Sequence, residues 1–538
     1  MKRIYLTIFI VLFGAISSLC AAVYQWSVPV VGFISTETND HPTAFLWIPE
    51  SCSQVRSVVV GQHNMCEETI FEHPVFRENM AKLGFAIIWI SPGIDQQWDI
   101  ENGCQEVFDK MIEDLAFVSG YTELKYSPIV PVGHSAMATF PWNFGACNKD
   151  RTLAIISYHG DAPRTNLTGY GRENLEWGRD RNIDGIPGLM VEGEYEWWEA
   201  RVNPALAFRM MYPESCISFL CDAGHGHFDV SDEVINYLCL FLEKAAEYRL
   251  PDEVPLDTLV QLQKLNPQDG WLAERWHPDQ KKRAKAAPFF NYTGDPHDAF
   301  WYFDREIAEV TEAYYARERG KKEQYIGFMQ NGKLLSFDEN LHARTTGVFE
   351  PETDGLTFHL KAAFTDTLRS GLSMDHAVGK PVIDRICGPV EKVNDSTFKV
   401  QFYRMGFNNP KRTGDIWLLA HHTGDKHYKS TVQQINIRIP YRLTDGEPQF
   451  IKFNKIDDLN LSSKSIDLIA ESTQGLPVYF YIEKGPAEFK DGKVNFTPIP
   501  PRSKFPFEVT VVAWQYGRSN ESKVQSAEPV KQTFYITK

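Results

Sequence analysis

The sequence predicts an α/β fold with a doubly wound, largely parallel sheet, followed by all-β, sandwich-like domains. As far as Leu250, short apolar strands alternate with amphipathic helical segments. From Tyr325 onward, the pattern consists of strands and turns. Strand, helix and strand in regular succession indicate parallel strands covered by helices on both faces. In such sheets, reactive groups gather at the carboxyl ends of the strands.

Length and composition limit the classes of protein that need to be considered. A chain of 538 residues is too long for one hydrophobic core and predicts several domains. A hydrophobic content of 43% with 23% charged residues is typical of a folded soluble protein. The net charge of -15 disfavours nucleic acid and anionic membrane surfaces as partners.

The N-terminus has the pattern of a secretory signal peptide. Lys2 and Arg3 precede a largely apolar run at residues 4–13, and small residues follow as far as Ala22. This pattern predicts a signal peptide at residues 1–22 and a periplasmic or extracellular protein. A lipoprotein anchor at Cys20 is the alternative, which the large Leu19 disfavours. No other stretch has the roughly 20 apolar residues of a membrane-spanning helix.

Cysteine spacing and glycine motifs give no sign of a cofactor. Eight cysteines follow Cys20, and an even number permits disulfides in an exported protein, but no spacing is C-x-x-C or a zinc pattern. Isolated buried thiols are an equally good interpretation. The sequence contains neither a G-x-G-x-x-G fingerprint nor a P-loop, so we expect no cofactor and no metal.

The predicted elements of residues 23–250, the expected catalytic domain, follow in order. Two leading antiparallel strands are expected within residues 23–49. Later strands are predicted at residues 56–61, 85–90, 129–132, 153–157, 186–191 and 217–220, with helices at 70–83, 105–118 and 231–246.

A strand that stops abruptly at a serine is the centre of this pattern. Gly133-His134-Ser135-Ala136-Met137 matches the nucleophile elbow G-x-S-x-G except at its last position, where Met137 replaces the glycine that permits close helix packing. Small residues around Ser135 allow the sharp turn. Pro141 is expected to bend or shorten the following helix.

Two further loops at strand ends carry acids and histidines. Glu194 and Glu196 follow the next strand but one, and His225 and His227 follow the last. A serine hydroxyl becomes nucleophilic when a neutral imidazole removes its proton, and a carboxylate orients that imidazole. The order of nucleophile, acid and histidine resembles the α/β-hydrolase superfamily over residues 23–250. The resemblance implies a serine hydrolase with Ser135 as nucleophile.

The resemblance also suggests which acid and which histidine take part. Glu196, three residues after Gly193, fits the position of the family's acid, with Glu194 and Asp161 as alternatives. His225, within Ala-Gly-His-Gly, fits the histidine position, with His227 as the alternative. Surface carboxylates, and histidines that only cap the following helix, are the non-catalytic interpretations.

The oxyanion hole and the substrate pocket are predicted from neighbouring residues. The backbone N–H groups of Ala136 and Met65 are the expected oxyanion donors. A polar insertion at residues 162–184 carries aromatic side chains that suit a sugar, unless they pack into a structural loop. The expected substrate contacts are His63, Asn64, His134, Tyr170, Trp177 and Trp197.

The second half of the chain is predicted to be a linker followed by two β domains; no chemistry is assigned to the last domain, and the role of the middle one is left open. Residues 251–324 have the composition of a linker, with an amphipathic helix at residues 299–319. Residues 325–443 are predicted to form a β-sandwich-like domain, in which His421, His422 and His427 indicate a histidine-containing loop rather than a metal site. Residues 444–538 resemble bacterial immunoglobulin-like modules, with a hairpin at Asp491-Gly492.

These observations predict a secreted serine hydrolase that cleaves carboxylic esters through an acyl-enzyme. The preferred substrate is an acetyl or methyl ester on a plant or algal polysaccharide or oligosaccharide, which is an association with exported multidomain esterases rather than a consequence of the fold. The alternatives are a serine peptidase on the same fold and a non-catalytic glycan-binding or adhesion protein with a decayed hydrolase domain. The oligomeric state is left open.

Overall fold

The computed structural model describes residues 23–165, 175–278, 281–282, 284–407 and 409–538. The predicted signal peptide and Cys20 therefore lie outside the described residues, as does Tyr170. No helix in these ranges is both long enough and apolar enough to cross a lipid bilayer.

An eight-stranded mixed sheet is the centre of the N-terminal region. Its strand order is β1-β2-β4-β3-β5-β6-β7-β8, with β1, β2 and β4 antiparallel neighbours and the other neighbours parallel. The strands are β1 (Trp26–Pro29), β2 (Thr43–Trp47), β3 (Ser57–Gln62), β4 (Phe85–Ser91), β5 (Ile129–His134), β6 (Ile155–Tyr158), β7 (Pro187–Gly193) and β8 (Cys216–Asp222). The predicted sheet with leading antiparallel strands is confirmed.

Helices cover both faces of this sheet, as parallel strands require. They are α1 (Cys66–Glu72), α2 (Pro74–Leu83), α3 (Cys104–Ser119), α4 (Phe140–Cys147), α5 (Glu199–Met211) and α6 (Asp232–Arg249). The single helix expected at residues 70–83 is divided at His73, because a residue before proline disfavours the helical conformation. The side chain of Ser231 caps α6 by accepting a hydrogen bond from Val234 N–H.

The segment expected to be a linker is part of the same hydrophobic core. It forms a three-stranded antiparallel sheet and a helix: β9 (Trp271–Glu274), β10 (Ala287–Pro288), β11 (Ala299–Tyr302) and α7 (Arg305–Ala316). Trp301 and Tyr302 are buried, and the Tyr302 hydroxyl donates to the Phe219 carbonyl of β8. The predicted helix therefore begins later, at Arg305, because residues 299–302 pair with β9 instead.

Residues 325–443, here called the middle β region, form three small sheets. Their strands are β12 (Tyr325–Gln330), β13 (Lys333–Leu334), β14 (Thr346–Val348), β15 (Thr357–His359), β16 (Lys361–Thr365), β17 (Val382–Cys387), β18 (Val390–Asn394), β19 (Thr397–Val400), β20 (Asp415–His422) and β21 (Thr431–Arg438). In the described part of this region, as the sequence predicts, all regular elements are strands.

Residues 444–538, the C-terminal β region, also consist of strands. These are β22 (Ile451–Phe453), β23 (Leu459–Asn460), β24 (Ser465–Asp467), β25 (Ala470–Ser472), β26 (Tyr479–Lys484), β27 (Ala487–Lys490), β28 (Lys493–Phe496), β29 (Phe507–Trp514) and β30 (Val530–Thr537). Phe507 packs against Trp26 of β1, and Arg502 forms an ion pair of 2.7 Å with the buried Glu123. This region therefore shares a core with the N-terminal sheet.

All eight cysteines in the described ranges carry free thiols, and all except the half-buried Cys147 are buried. Of the two interpretations of their even number, the structure supports isolated thiols.

Candidate active site

A sharp corner follows β5 and carries Ser135. The strand is completely buried, and Ser135 adopts φ +53°, in the left-handed region that serine rarely enters. A short turn at Ser135–Met137 leads to α4. A Cβ atom at Gly133 would collide with the Met137 carbonyl, so the corner requires glycine there. Strand, turn and helix thus present the serine hydroxyl at the carboxyl edge of the sheet.

Met137 fits into this corner although the sequence motif has glycine at its position. Its side chain is buried and occupies the space beside Gly93, where an added Cβ would overlap the Met137 methyl group. Gly93 thus compensates for the missing glycine of the elbow. Pro141 lies in the first turn of α4, where no helical N–H is lost.

The imidazole beside the serine belongs to His227. Its Nε2 lies 2.7 Å from Ser135 Oγ, and both side chains are buried. Burial lowers the pKa of His227 well below its usual value, and the neighbouring His134 and His159 lower this pKa further. The ring is therefore neutral at physiological pH and can accept a proton.

His225, the preferred histidine of the sequence analysis, has a different environment. Its Nδ1 donates to Asp229, whose other oxygen accepts from Gly226 N–H. Burial lowers the pKa of His225, but Asp222 and Asp229 outweigh burial and raise this pKa to about 10. His225 is therefore a cation that holds its own loop. The structure brings the alternative, His227, to Ser135 instead.

Two more histidines hold the backbone of His227. His134 Nε2 and His159 Nδ1 each lie 2.8 Å from the His227 carbonyl oxygen and donate to it. Both rings are fully buried, and burial lowers the pKa of His134 to about 3 and that of His159 to about 4. His134, predicted as a substrate contact, is thus a buried donor. His159, which follows β6 in YHGDAP, was not anticipated.

The two glutamates after β7 face the middle β region. The Glu196 carboxylate lies 3.5 Å from the Arg344 guanidinium. One oxygen of Glu194 lies 2.6 Å from Lys429 Nζ, and the other accepts from Gly224 N–H at 2.7 Å. Neither glutamate is hydrogen-bonded to His227.

Asp161, the third candidate acid, is buried beneath the site. Its carboxylate lies 3.8 Å from Arg201 Nε and 3.4 Å from the Thr139 hydroxyl. Within the described part of the chain, His227 Nδ1 is buried and has no hydrogen-bond partner. The structure therefore forms the serine–histidine pair and does not connect any of the three predicted carboxylates to it.

The two predicted oxyanion donors differ in what their N–H groups contact. Ala136 lies in the first turn after the strand, where N–H groups lack helical partners. Met65 N–H instead donates to the buried Glu67 carboxylate at 3.0 Å, as do the N–H groups of Asn64 and His134. Burial raises the pKa of Glu67 to about 7, although these donors act in the opposite direction. Met65 N–H is therefore directed to Glu67.

The expected substrate contacts are in three different environments. His63 and Asn64 line a cavity of about 180 Å³ beside Ser135. Trp197 lines a wider cleft of about 560 Å³ that also contains Ser135 and His227. Trp177, by contrast, is buried in the core, where its Nε1 donates to Asn143 Oδ1 at 2.7 Å. Trp177 is therefore structural, the interpretation that the sequence left open.

Three clusters in the described ranges place nitrogen and oxygen ligand atoms within 4.8 Å of one another: His134, His159 and His227; Asp222, His225 and Asp229; and Glu274, His277 and Asp298. In the first, the closest nitrogens donate to the His227 carbonyl. In the second, His225 Nδ1 is hydrogen-bonded to the Asp229 carboxylate. In the third, the Asp298 carboxylate forms an ion pair with Arg275, whose Nε lies 2.7 Å away.

His421, predicted to be in a histidine-containing loop rather than a metal site, pairs with Asp384 at 2.7 Å.

Comparison with solved structures gives distant matches. A fluorophosphonate-binding serine hydrolase of Staphylococcus aureus is 12% identical, with 41% of this chain and 96% of that chain covered and a TM-score of 0.29. An S-formylglutathione hydrolase of Agrobacterium tumefaciens is 12% identical, with 43% of this chain and 98% of that chain covered and a TM-score of 0.31. Est1E of Butyrivibrio proteoclasticus is 14% identical, with 41% of this chain and 100% of that chain covered and a TM-score of 0.29. No protein-family model and no curated protein sequence matches this chain.

Proposed function

We propose that this protein is a serine hydrolase that cleaves carboxylic esters, with Ser135 as nucleophile and His227 as general base. The observation that supports it most directly is the 2.7 Å contact between His227 Nε2 and a serine hydroxyl on a strained corner. A buried, neutral imidazole at hydrogen-bond distance is what proton transfer from serine needs.

The reaction would proceed in two stages. His227 Nε2 takes the proton of Ser135 Oγ as this oxygen attacks the ester carbonyl carbon, and the Ala136 N–H stabilises the resulting oxyanion. The protonated Nε2 then gives its proton to the departing alcohol, which leaves an acyl-enzyme. Water, deprotonated by the same nitrogen, releases the acid and restores Ser135.

The proposed substrate is an acetyl or methyl ester on a polysaccharide or oligosaccharide. The 560 Å³ cleft supports the acetyl ester, in which the sugar is the departing alcohol, because Trp197, Trp198, Asn340 and Arg344 combine flat apolar rings with polar groups. Export to the periplasm or the exterior belongs to the same proposal and rests on the charged and apolar start of the sequence.

The decisive experiment measures p-nitrophenyl acetate turnover by the full chain and by Ser135→Ala. We expect turnover to fall by about 10³-fold or more, and labelling by an alkyl fluorophosphonate to be lost. Ser462→Ala, at an exposed serine of the C-terminal β region, is the matched control. We expect it to keep both the turnover of p-nitrophenyl acetate and the labelling by fluorophosphonate. Equal turnover in Ser135→Ala and parent would exclude Ser135 as the nucleophile.

A panel of acetylated glycans and methyl-esterified pectin, set against short peptides, separates an esterase from a serine peptidase. Release of acetate or methanol without peptide cleavage supports the polysaccharide substrate.

One observation favours the non-catalytic alternative: His227 Nδ1 has no partner in the described chain, although a serine hydrolase normally orients this atom with a carboxylate. If the parent neither turns over esters nor reacts with fluorophosphonate, but binds glycans in a pull-down assay, the decayed-hydrolase interpretation replaces ours.

A further inference from the structure

Two cavities with different walls meet at Ser135. The smaller, of about 180 Å³, contains Ser135 and the loop at residues 63–65, and all its other lining residues belong to the middle β region. The larger cleft, of about 560 Å³, contains Ser135 and His227 together with residues 195–198. These residues belong to the loop after β7 that carries Glu194 and Glu196, here called the acid loop. His342 of the middle β region lines both cavities and therefore lies at the boundary between them.

The chemistry of ester cleavage distinguishes the two cavities. The departing alcohol must receive its proton from the histidine, so it has to leave on the side of His227. Only the larger cleft is lined by His227. The acyl group remains on Ser135 after the alcohol has left and needs space on the other side, where the smaller cavity lies.

We propose that the middle β region builds the acyl pocket of this enzyme and restricts it to small acyl groups, while the larger cleft holds the alcohol. This inference rests on the proposed function and adds the size of the acyl group and the part of the chain that selects it. Of the two proposed esters it selects the acetyl ester, because in a methyl-esterified polysaccharide the acyl group is the polysaccharide itself, which exceeds a cavity of about 180 Å³. Acyl selectivity would thus depend on residues outside the eight-stranded sheet and its helices.

The dimensions and the lining of the smaller cavity suit a short acyl chain. A cavity of about 150 Å³ accommodates one benzene molecule, so about 180 Å³ has room for a group of that size and little more. Met65, Phe402, Met405 and Trp417 supply its apolar surface. Acetyl and butyryl groups fit within this volume, whereas an octanoyl chain exceeds it.

Polar contacts to the N-terminal region hold the middle β region in place. Arg412 donates to the Asn64 carbonyl at 2.8 Å and pairs with Glu37 at 3.0 Å. The buried Arg404 lies 3.0 Å from Glu68 of α1.

An apolar cluster adds to these contacts. It joins Met65 and Phe228 of the N-terminal region to Ile386, Trp417 and Leu419. The wall of the acyl pocket is therefore fixed by buried contacts to the loops on which the serine and histidine depend.

The test uses p-nitrophenyl acetate, butyrate and octanoate, which share one leaving group. In the parent we expect kcat/KM to fall steeply between butyrate and octanoate. Met405→Ala enlarges the pocket and should raise the octanoate-to-acetate ratio by about tenfold. Met405→Trp fills the pocket and should reduce butyrate turnover while acetate is retained. Trp198→Ala, in the larger cleft, should leave the acyl ratio unchanged.

The outcomes separate this inference from the proposed function. Unchanged ratios in both Met405 variants, with thermal unfolding midpoints close to the parent's and turnover still lost in Ser135→Ala, would overturn the acyl pocket and leave the esterase intact. Turnover that survives Ser135→Ala would overturn the proposed function, and the acyl pocket with it. If the octanoate-to-acetate ratio changes in Trp198→Ala but not in Met405→Ala, the larger cleft holds the acyl group instead. This result would overturn the assignment of the two cavities.

Discussion

The corner after β5 and the loop after β7 lie at the same edge of one sheet, but they make contacts of different range. The corner is held by its own turn and by Gly93, which all belong to the N-terminal region. The loop after β7 contacts the middle β region through Lys429, Arg344 and the Ser430 carbonyl. The first site depends on local chain geometry, and the second on contacts between distant parts of the chain.

The largest effect is expected from the two histidines that follow β8. His227→Gln removes the only imidazole hydrogen-bonded to Ser135 in the described chain and should lower kcat/KM for p-nitrophenyl acetate by about 10³-fold or more. His225→Gln removes a loop cation and should cost less than about tenfold. Equal losses in two folded variants would mean that His225 takes part in proton transfer.

Stability tests the contact between the acid loop and the middle β region. Lys429 and Glu194 are both nearly fully buried, so Lys429→Met leaves a buried carboxylate without its cation. Removing one partner of such a pair costs about 3–5 kcal/mol, which urea unfolding would measure as a reduced free energy of unfolding.

The double variant Glu194→Gln with Lys429→Met is the control for this prediction. It should recover much of the loss, because neither charge then remains buried alone. A double variant as unstable as Lys429→Met would indicate that the lysine stabilises the fold by packing rather than by charge.

A smaller effect on stability should vary with pH through His225. Because the pKa of His225 is raised to about 10 in the folded chain, against about 6.5 in an unfolded chain, its stabilisation is fully present below about pH 6.5. The stabilisation is lost as the pH rises through about 10. The thermal midpoint of the parent should therefore exceed that of His225→Gln at about pH 6, and the difference should shrink towards pH 10. A difference in thermal midpoint that does not vary with pH would contradict stabilisation of the loop by a protonated His225.

The difference between local contacts at the corner after β5 and long-range contacts at the loop after β7 explains what could be predicted from the sequence. Apolar runs and small residues define β3, β5 and the corner at Ser135, because these depend on neighbours in the chain. The choice between His225 and His227 depends on Asp222 and Asp229, which are near in sequence, but whose directions depend on the folded loop. The cavity wall at Trp417 and the partners of Glu194 and Glu196 arise from contacts across hundreds of residues, which no periodicity encodes.

The smallest change in activity is expected for Glu196→Gln. A carboxylate that orients the catalytic histidine is worth about 10⁴-fold in kcat, whereas a residue paired across the cleft with Arg344 should cost less than about tenfold. Arg344→Met is the matched variant, since it removes the partner and leaves the glutamate free to turn. If Glu196→Gln loses 10⁴-fold while Arg344→Met retains activity, the glutamate reaches His227 Nδ1 during turnover, and the loop after β7 supplies the acid. If both variants retain activity, Glu196 does not orient His227, and the loop after β7 supplies no acid through this residue; the backbone of His227 is then held by His134 and His159, which donate to its carbonyl oxygen, and the difference between the two strand ends extends to the reaction itself.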